Sequence, residues 1–339
     1  PMYTCLTCSA CTNVCPQLVD YDSYVDIRRS LTVGTMPEAE IPHTILRAVL
    51  NAEIEDNADE KFISVEEYPI DSNIGYYPGC VDFIDQEMVF SHVNEGSMNL
   101  GASTSSAFTL FEEMGEDVTY LGRDFLKCCG HDQKWQGMTE VFEKLKSYNE
   151  KKLKQSGIDT LVSSCAECFR TFVKDYELED IKVMHTTEFL IEKGFDMNLK
   201  TSEETTVTYH DPCRLGRQIG LYEEPRNLIK DVEGVELVEM EHHGEEGLCC
   251  GVSSMMSCNE NSRSLRLERF DEVKATGADV MLTSCPKCVS HFECLKFEGD
   301  PTHNFEILDV VTFLANQINE KKNQESLEIK TNTLESIKA

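Results

Sequence analysis

The sequence predicts an α/β protein: two Rossmann-like domains, each on a parallel sheet, behind an N-terminal α-helical unit. Three observations carry that expectation. From residue 73 onward, short apolar runs alternate with helical patterns, the order that builds parallel sheets. That order of runs occurs twice. The cysteines repeat with it at a nearly constant offset, which marks an internal duplication.

The first unit spans residues 1–70. Within it, 18–31 and 41–54 carry apolar residues three and four apart, the helical period, and Pro37 and Pro42 punctuate between them. Residues 52–73 are acidic and lead out of the unit. The first set of strands is expected at 74–77, 118–121, 159–162 and 181–184, with helices at 138–155 and 186–194. The second set is expected at 207–210, 235–238, 279–282 and 305–308. Cys128, Cys165 and Cys168 recur as Cys249, Cys285 and Cys288 at offsets of 120 or 121, and Cys80 recurs as Cys213 at 133. The extra dozen residues between Cys80 and Cys128 read as an insertion in the first copy. The expected division is therefore 1–70, 71–198 and 199–319, with a polar tail at 320–339.

With 339 residues, 40% of them hydrophobic, the chain can bury a large core. Its 16 cysteines are not replacing a missing core as they do in small secreted scaffolds, so the inference moves to metal. Acidic residues number 61 against 31 basic, a net charge of −30. That excludes a whole-chain nucleic-acid footprint and would repel an anionic membrane. It suits a soluble protein or one that docks on a basic partner. No apolar run approaches membrane-spanning length, and no signal pattern opens the chain. Reduced thiols in quantity imply a cytoplasmic setting, with a membrane involved only through a partner subunit.

Cys5, Cys8, Cys11 and Cys15 stand as C-x2-C-x2-C-x3-C, followed by Pro16. This is the bacterial ferredoxin ligand run, whose fourth cysteine serves the other cluster in two-cluster proteins. A cubane [4Fe-4S] held by Cys5, Cys8 and Cys11 then needs a fourth thiolate. An upstream run before Pro1, or a partner, is expected to supply it, giving one or two cubanes. Zinc is the alternative, though zinc sites usually use paired C-x2-C hooks.

Each repeat supplies five more cysteines as C…CCG…C-x2-C: Cys80, Cys128, Cys129, Cys165 and Cys168, then Cys213, Cys249, Cys250, Cys285 and Cys288. Gly130 and Gly251 close the adjacent pairs, where glycine allows a sharp turn or a close approach to a bulky cluster. The cysteines follow expected strand ends, and the C-x2-C pairs open helices. Carboxyl ends of parallel strands form the ligand crevice of such sheets, and helix N-termini favour thiolate. Five thiolates exceed what a cubane or tetrahedral zinc needs. A larger or more open cluster, four-cysteine zinc sites, and redox-active disulfides all remain possible from the residues alone.

The paired motif resembles the cysteine-rich (CCG) domain family, which includes the catalytic subunit of heterodisulfide reductase and iron–sulfur subunits of related respiratory oxidoreductases. Residues 209–217, Leu248-Cys249-Cys250-Gly251 and 283–288 are similar to the family's second repeat, and Val25-Asp26-Ile27-Arg28-Arg29 after the N-terminal run resembles its cubane unit. The likeness covers about residues 1–318. It implies two noncubane [4Fe-4S] clusters, one per five-cysteine set, with a substrate disulfide such as CoM-S-S-CoB cleaved between them. All ten cysteines of the repeats then count as catalytic. Electrons would enter from an electron-donating redox subunit through the N-terminal cubane. The reading of another class is a non-catalytic electron-transfer subunit between a lactate, glycolate or glycerol-3-phosphate type dehydrogenase and a quinone-linked membrane partner. A zinc-stabilised interaction protein is the third.

Other residues near the motifs are read more modestly. Cys258 and Cys294 are left over and are expected to be buried and inert. His210 is expected to hydrogen-bond at a strand end rather than bind iron. His242 and His243 lie in an acidic loop and are expected to be solvated, with proton delivery as the sharper alternative. Lys287, Arg214 and Arg217 stand out in so acidic a chain, either steering an anionic substrate or neutralising the cluster's charge. Trp135 is expected in the core.

Overall fold

β-Branched and aromatic residues dominate the short runs that become strands, and they pair only in parallel, because helices fill every crossover. The computed structural model describes residues 2–32, 72–79, 102–122, 125–196, 198–252, 259–297 and 304–322. The expected helix at 41–54, most of the acidic lead at 52–73, Cys80, Cys258 and residues 323–339 of the expected tail lie outside the described residues.

Two four-stranded sheets are present. In the first, β1 (Ile74–Tyr76), β2 (Thr119–Tyr120), β3 (Thr160–Ser163) and β4 (Lys182–His185) lie in the order β2-β1-β3-β4. In the second, β5 (Lys200–His210), β6 (Glu233–Leu237), β7 (Val280–Thr283) and β8 (Glu306–Asp309) lie in the order β6-β5-β7-β8. All pairs are parallel, and the two topologies correspond strand for strand. The duplication even conserves a buried bond: Tyr76 Oη pairs with Ser164 Oγ at 3.0 Å, and Tyr209 Oη donates to Ser284 Oγ at 3.1 Å.

The helices described are α1 (Ala10–Val14), α2 (Tyr21–Ser30), α3 (Ala102–Met114), α4 (His131–Trp135), α5 (Thr139–Ser156), α6 (Ala166–Asp175), α7 (Thr186–Glu192), α8 (Gly216–Ile219), α9 (Glu223–Lys230), α10 (Glu260–Thr276), α11 (Pro286–Phe297) and α12 (310–322). Asp20 caps α2 by accepting from the Ser23 amide, and Asn259 caps α10 through the Ser262 amide. Gly157 and Gly277 end α5 and α10 in the left-handed conformation. β5 is longer than the run 207–210 predicted. Its first half, with Glu203 and Glu204 exposed, has no apolar pattern to announce it.

The two sheets share one core. Phe111, Val162, Met184 and Phe189 from the first half pack with Val207, Leu228, Leu282 and Val311 from the second. Such burial contributes about 1.5–3 kcal/mol for each large apolar side chain. The shared core sets the carboxyl ends of β3 and β7 toward each other, and the cysteines lie there. No helix among the described residues is long and apolar enough to cross a membrane.

Candidate metal centre

The C-x2-C hooks lie where strand becomes helix. Cys165 follows β3 by way of Ser164 and forms the N-cap of α6 in extended conformation. Cys285 follows β7 by way of Ser284, and Pro286 opens α11, a first-turn position where its missing N–H costs nothing. Cys168 and Cys288 stand in the first turns of α6 and α11. The adjacent pairs arrive on loops. Gly130 and Gly251 there have φ of +80° and +83°, a left-handed turn that other residues adopt only with strain. A Cβ at Gly130 would lie 2.7 Å from the Phe142 ring, so this glycine is required by the turn and by packing on α5. Gly79 approaches the thiols themselves: a Cβ there would meet Cys168 Sγ at 3.1 Å.

All fourteen described cysteines are free thiols. Cys213, Cys249, Cys250, Cys285 and Cys288 line one cavity with Leu6, Glu167, Pro212, Arg214 and Val252, so the second set converges completely. The cavity's empty volume is about 310 Å³, including its open mouth. Of the first set, Cys129, Cys165 and Cys168 are buried, Cys128 is half-buried, and Cys80 lies outside the described residues.

The sulfurs form one string. Cys8 meets Cys249, which meets Cys250. Cys250 Sγ is 3.2 Å from Cys288 Sγ. Cys288 meets Cys285, and Cys285 meets Cys165 across the boundary between the repeats. Cys165 meets Cys168, whose Sγ is 3.4 Å from that of Cys129, which meets Cys128. The contacts polarise the thiols. Hydrogen bonds from Cys128 and Cys168 lower Cys129 to about 5 against the cost of burial. Those from Cys165 and Cys288 lower Cys285 to about 6. Neighbouring sulfurs and burial push Cys165, Cys168, Cys249 and Cys288 up instead. Buried cysteine sulfurs packed edge to edge and not joined as disulfides are a donor set suited to thiophilic iron–sulfur groups.

A buried ion network ties the two hooks together. Lys287, inside the second hook, places Nζ 2.7 Å from both carboxylate oxygens of Asp132 and 2.5 Å from Glu167 Oε2, inside the first hook. His131 Nδ1 lies 2.9 Å from Asp132 Oδ1 and 3.3 Å from Glu167. Burial pushes Asp132 up, but Lys287 and His131 outweigh it and hold the carboxyl below its usual range. Burial raises Glu167 to about 8 despite Lys287. Lys287 thus stands between a carboxyl held below its usual range and one raised above it. Lys287 is only 4% exposed, which goes against its steering substrate from solvent, and leaves the other expected role, offsetting negative charge beside the thiols.

Arg214 and Arg217 have a role beyond the two expected of them. Arg214 donates to the carbonyl of Thr7 and, at 2.7 Å, to its hydroxyl, while Arg217 Nε donates to the Cys8 carbonyl at 2.6 Å. Both clamp the N-terminal cysteine loop onto the second repeat. Thr7 and Ser9 hold that loop in left-handed conformation, with φ of 45° and 63°. Trp135 is buried as expected, and it serves the same junction: the Arg214 guanidinium stands 4.4 Å from its ring centre, and Arg29 donates to its carbonyl at 2.6 Å. Of the N-terminal run, Cys8 is drawn toward Cys249, while Cys11 is exposed. Cys294 is half-buried on α11. His243 is exposed and the His242 side chain is 40% exposed, as expected, although His242 pairs with Glu272 at 2.5 Å and His243 donates to the Met240 carbonyl.

Residues 74–173 and 207–293 match the model of the cysteine-rich domain family, CCG. The chain is 26% identical over 332 residues to one subunit of the dihydromethanophenazine:CoB–CoM heterodisulfide reductase of Methanosarcina acetivorans, covering 93% of this chain and 77% of that protein. It is 29% identical over 309 residues to one subunit of the fumarate reductase (CoM/CoB) of Methanothermobacter marburgensis, covering 88% and 58%. It is 26% identical over 317 residues to an EtfAB:quinone oxidoreductase of Syntrophomonas wolfei, covering 85% and 42%. It thus spans about half the length of the last two.

Proposed function

The chain belongs to the cysteine-rich (CCG) domain family of iron–sulfur oxidoreductase proteins, and on that premise we propose that it is the catalytic subunit of a disulfide reductase. Its substrate is a small thiol–thiol disulfide of the CoM-S-S-CoB kind. Cys128, Cys129, Cys165 and Cys168 with Cys80, and Cys213, Cys249, Cys250, Cys285 and Cys288, would each hold a noncubane [4Fe-4S] cluster. Cys5, Cys8, Cys11 and Cys15 would serve cubanes, one of them completed from outside this chain. When bound, two such clusters supply one electron each, the number that S–S cleavage requires. The domain division 71–198 and 199–319 assigns one site to each repeat.

The observation that carries this reading is the string of sulfurs from Cys8 to Cys128, crossing from the N-terminal loop through both repeats without a break. The rest of the chain maintains that string. Arg214 and Arg217 hold the loop against the second site. The Lys287–Asp132–Glu167 network holds the two hooks face to face. Leu6 and Val252 give the cavity apolar wall, and Arg214 gives it positive charge suited to an anionic disulfide. A redox partner subunit donates the electrons, the setting is cytoplasmic, and a membrane enters only through a partner.

Similarity to an EtfAB:quinone oxidoreductase favours a second reading, in which the chain only relays electrons between a dehydrogenase and a quinone-linked partner. One experiment separates the two. Oxidising the loaded protein with a thiol such as coenzyme M present is expected to produce a paramagnetic signal that is absent without thiol. Reduced viologen is also expected to be consumed only when the disulfide is added. Viologen oxidation indifferent to the disulfide, with no thiol-dependent signal, would leave the relay standing instead.

A further inference from the structure

His210 ends β5, is fully buried, and belongs to none of the cysteine motifs. Its ring stands edge-on to Phe292, with centres 4.9 Å apart. Arg269 Nε donates to its Nδ1 at 3.1 Å. A guanidinium carries only donors and keeps its proton, so Nδ1 must accept and the ring's own hydrogen sits on Nε2. Arg269 is itself held, by Glu272 at 2.5 Å and by the His242 carbonyl at 2.6 Å. The tautomer is therefore fixed by a buried chain of bonds, not left to the ring.

Nε2 is buried and makes no hydrogen bond in the structure. It faces the Cys250 sulfur, and a His210 ring nitrogen, Cys250 Sγ and Cys288 Sγ lie within 4.8 Å of one another. A buried ring N–H with no other partner, this close to two ligand sulfurs, is placed to donate to one of them. We propose that His210 is a positioning residue that donates a hydrogen bond to the Cys250 sulfur and makes the second site the easier of the two to reduce. Hydrogen bonds to cluster sulfurs stabilise the added negative charge of the reduced state.

Among the described residues the first repeat shows no counterpart of this device. At the offset of 133 that relates Cys80 to Cys213, the residue matching His210 is Tyr77. Tyr77 Oη donates to the Lys127 carbonyl at 2.9 Å. At the offset of 120, Arg269 corresponds to Asn149, whose amide serves the Lys127 and Cys128 carbonyls. His291, whose Nδ1 donates to the Cys250 carbonyl at 2.8 Å, corresponds to Thr171, which bonds within its own helix. The two sites share ligands and differ in what surrounds them. The site with a histidine beside its sulfurs is also the one the N-terminal loop rests upon, so the site that meets incoming electrons is the one His210 favours for reduction.

The inference rests on the ten cysteines holding clusters, and its test keeps the two apart. In the full-length, loaded protein, His210→Phe is expected to lower the midpoint potential of one noncubane signal in an EPR-monitored titration. The other signal should stay in place, with iron and sulfide per chain unchanged. His210→Gln, which keeps a donor near the position of Nε2, is expected to restore most of the shift. With ¹⁵N-histidine, the parent should show a weak nitrogen coupling that the Phe variant loses. Potentials unmoved at full loading would overturn the proposal, and so would the strong coupling of a nitrogen bound directly to iron. If the Phe variant does not fold, Arg269→Met frees the tautomer and should lower the same signal by less; no shift there also overturns it. A parent protein without iron and sulfide would instead remove the disulfide-reductase reading.

Discussion

Replacing Cys250 with serine is expected to abolish disulfide reduction while leaving the spectrum of the N-terminal cubane intact. Cys250 stands at the middle of the second site. Its sulfur is 3.2 Å from Cys288, its neighbours Cys249 and Cys288 hold it as a thiolate, and it lines the cavity with the other four thiols of its set. Serine keeps the size and removes the soft donor. Changing the partners that merely orient metal ligands typically costs about 10–100-fold, so loss of the ligand itself should exceed that range. Disulfide-dependent viologen oxidation measures the effect. Turnover within a few-fold of the parent would remove Cys250 from the reaction.

The second large effect falls on stability. Lys287→Met removes the cation that offsets the burial of Asp132 and leaves Asp132 and Glu167 without it in a pocket where both side chains are 6% exposed. Breaking a buried pair by removing one partner typically costs about 3–5 kcal/mol, because the remaining charge is stranded. A marked fall in Tm is expected for the single variant. Adding Asp132→Asn should recover most of the loss, since the two residues interact directly and their effects are not additive. A single variant that melts with the parent would show that the network contributes nothing net. The residue was noticeable in the sequence as a cation inside C-x2-C, but its partners lie 155 and 120 positions away on the other repeat. Charge in a motif can be read from sequence, whereas the carboxylate that meets it depends on how two domains share a core.

The same division runs through the rest of the molecule. The strands near 74, 160, 182, 280 and 306 were legible because each is a short apolar run with a helix behind it. The repeat was legible because ten cysteines keep their order. The long first half of β5 was not, since it pairs only at its edge with β6 and carries exposed acids. Arg214 and Arg217 were noticed for their charge, but their hold on the N-terminal loop was not foreseen. They bind backbone carbonyls of Thr7 and Cys8, groups every residue has and no composition reveals. His210 was read correctly as a hydrogen-bonding residue at a strand end. The partner that orients it, Arg269, could be found only in the fold, where a mid-helix arginine turns inward instead of toward solvent.

The central claim is that these thiols hold iron–sulfur clusters, one in each repeat. Iron, zinc and acid-labile sulfide per chain in anaerobically prepared full-length protein test it most directly. Two four-iron clusters require about eight irons with matching sulfide from the repeats, and the N-terminal run adds about four for each cubane it completes. Zinc in place of iron, or no more than about four irons in all, would contradict it.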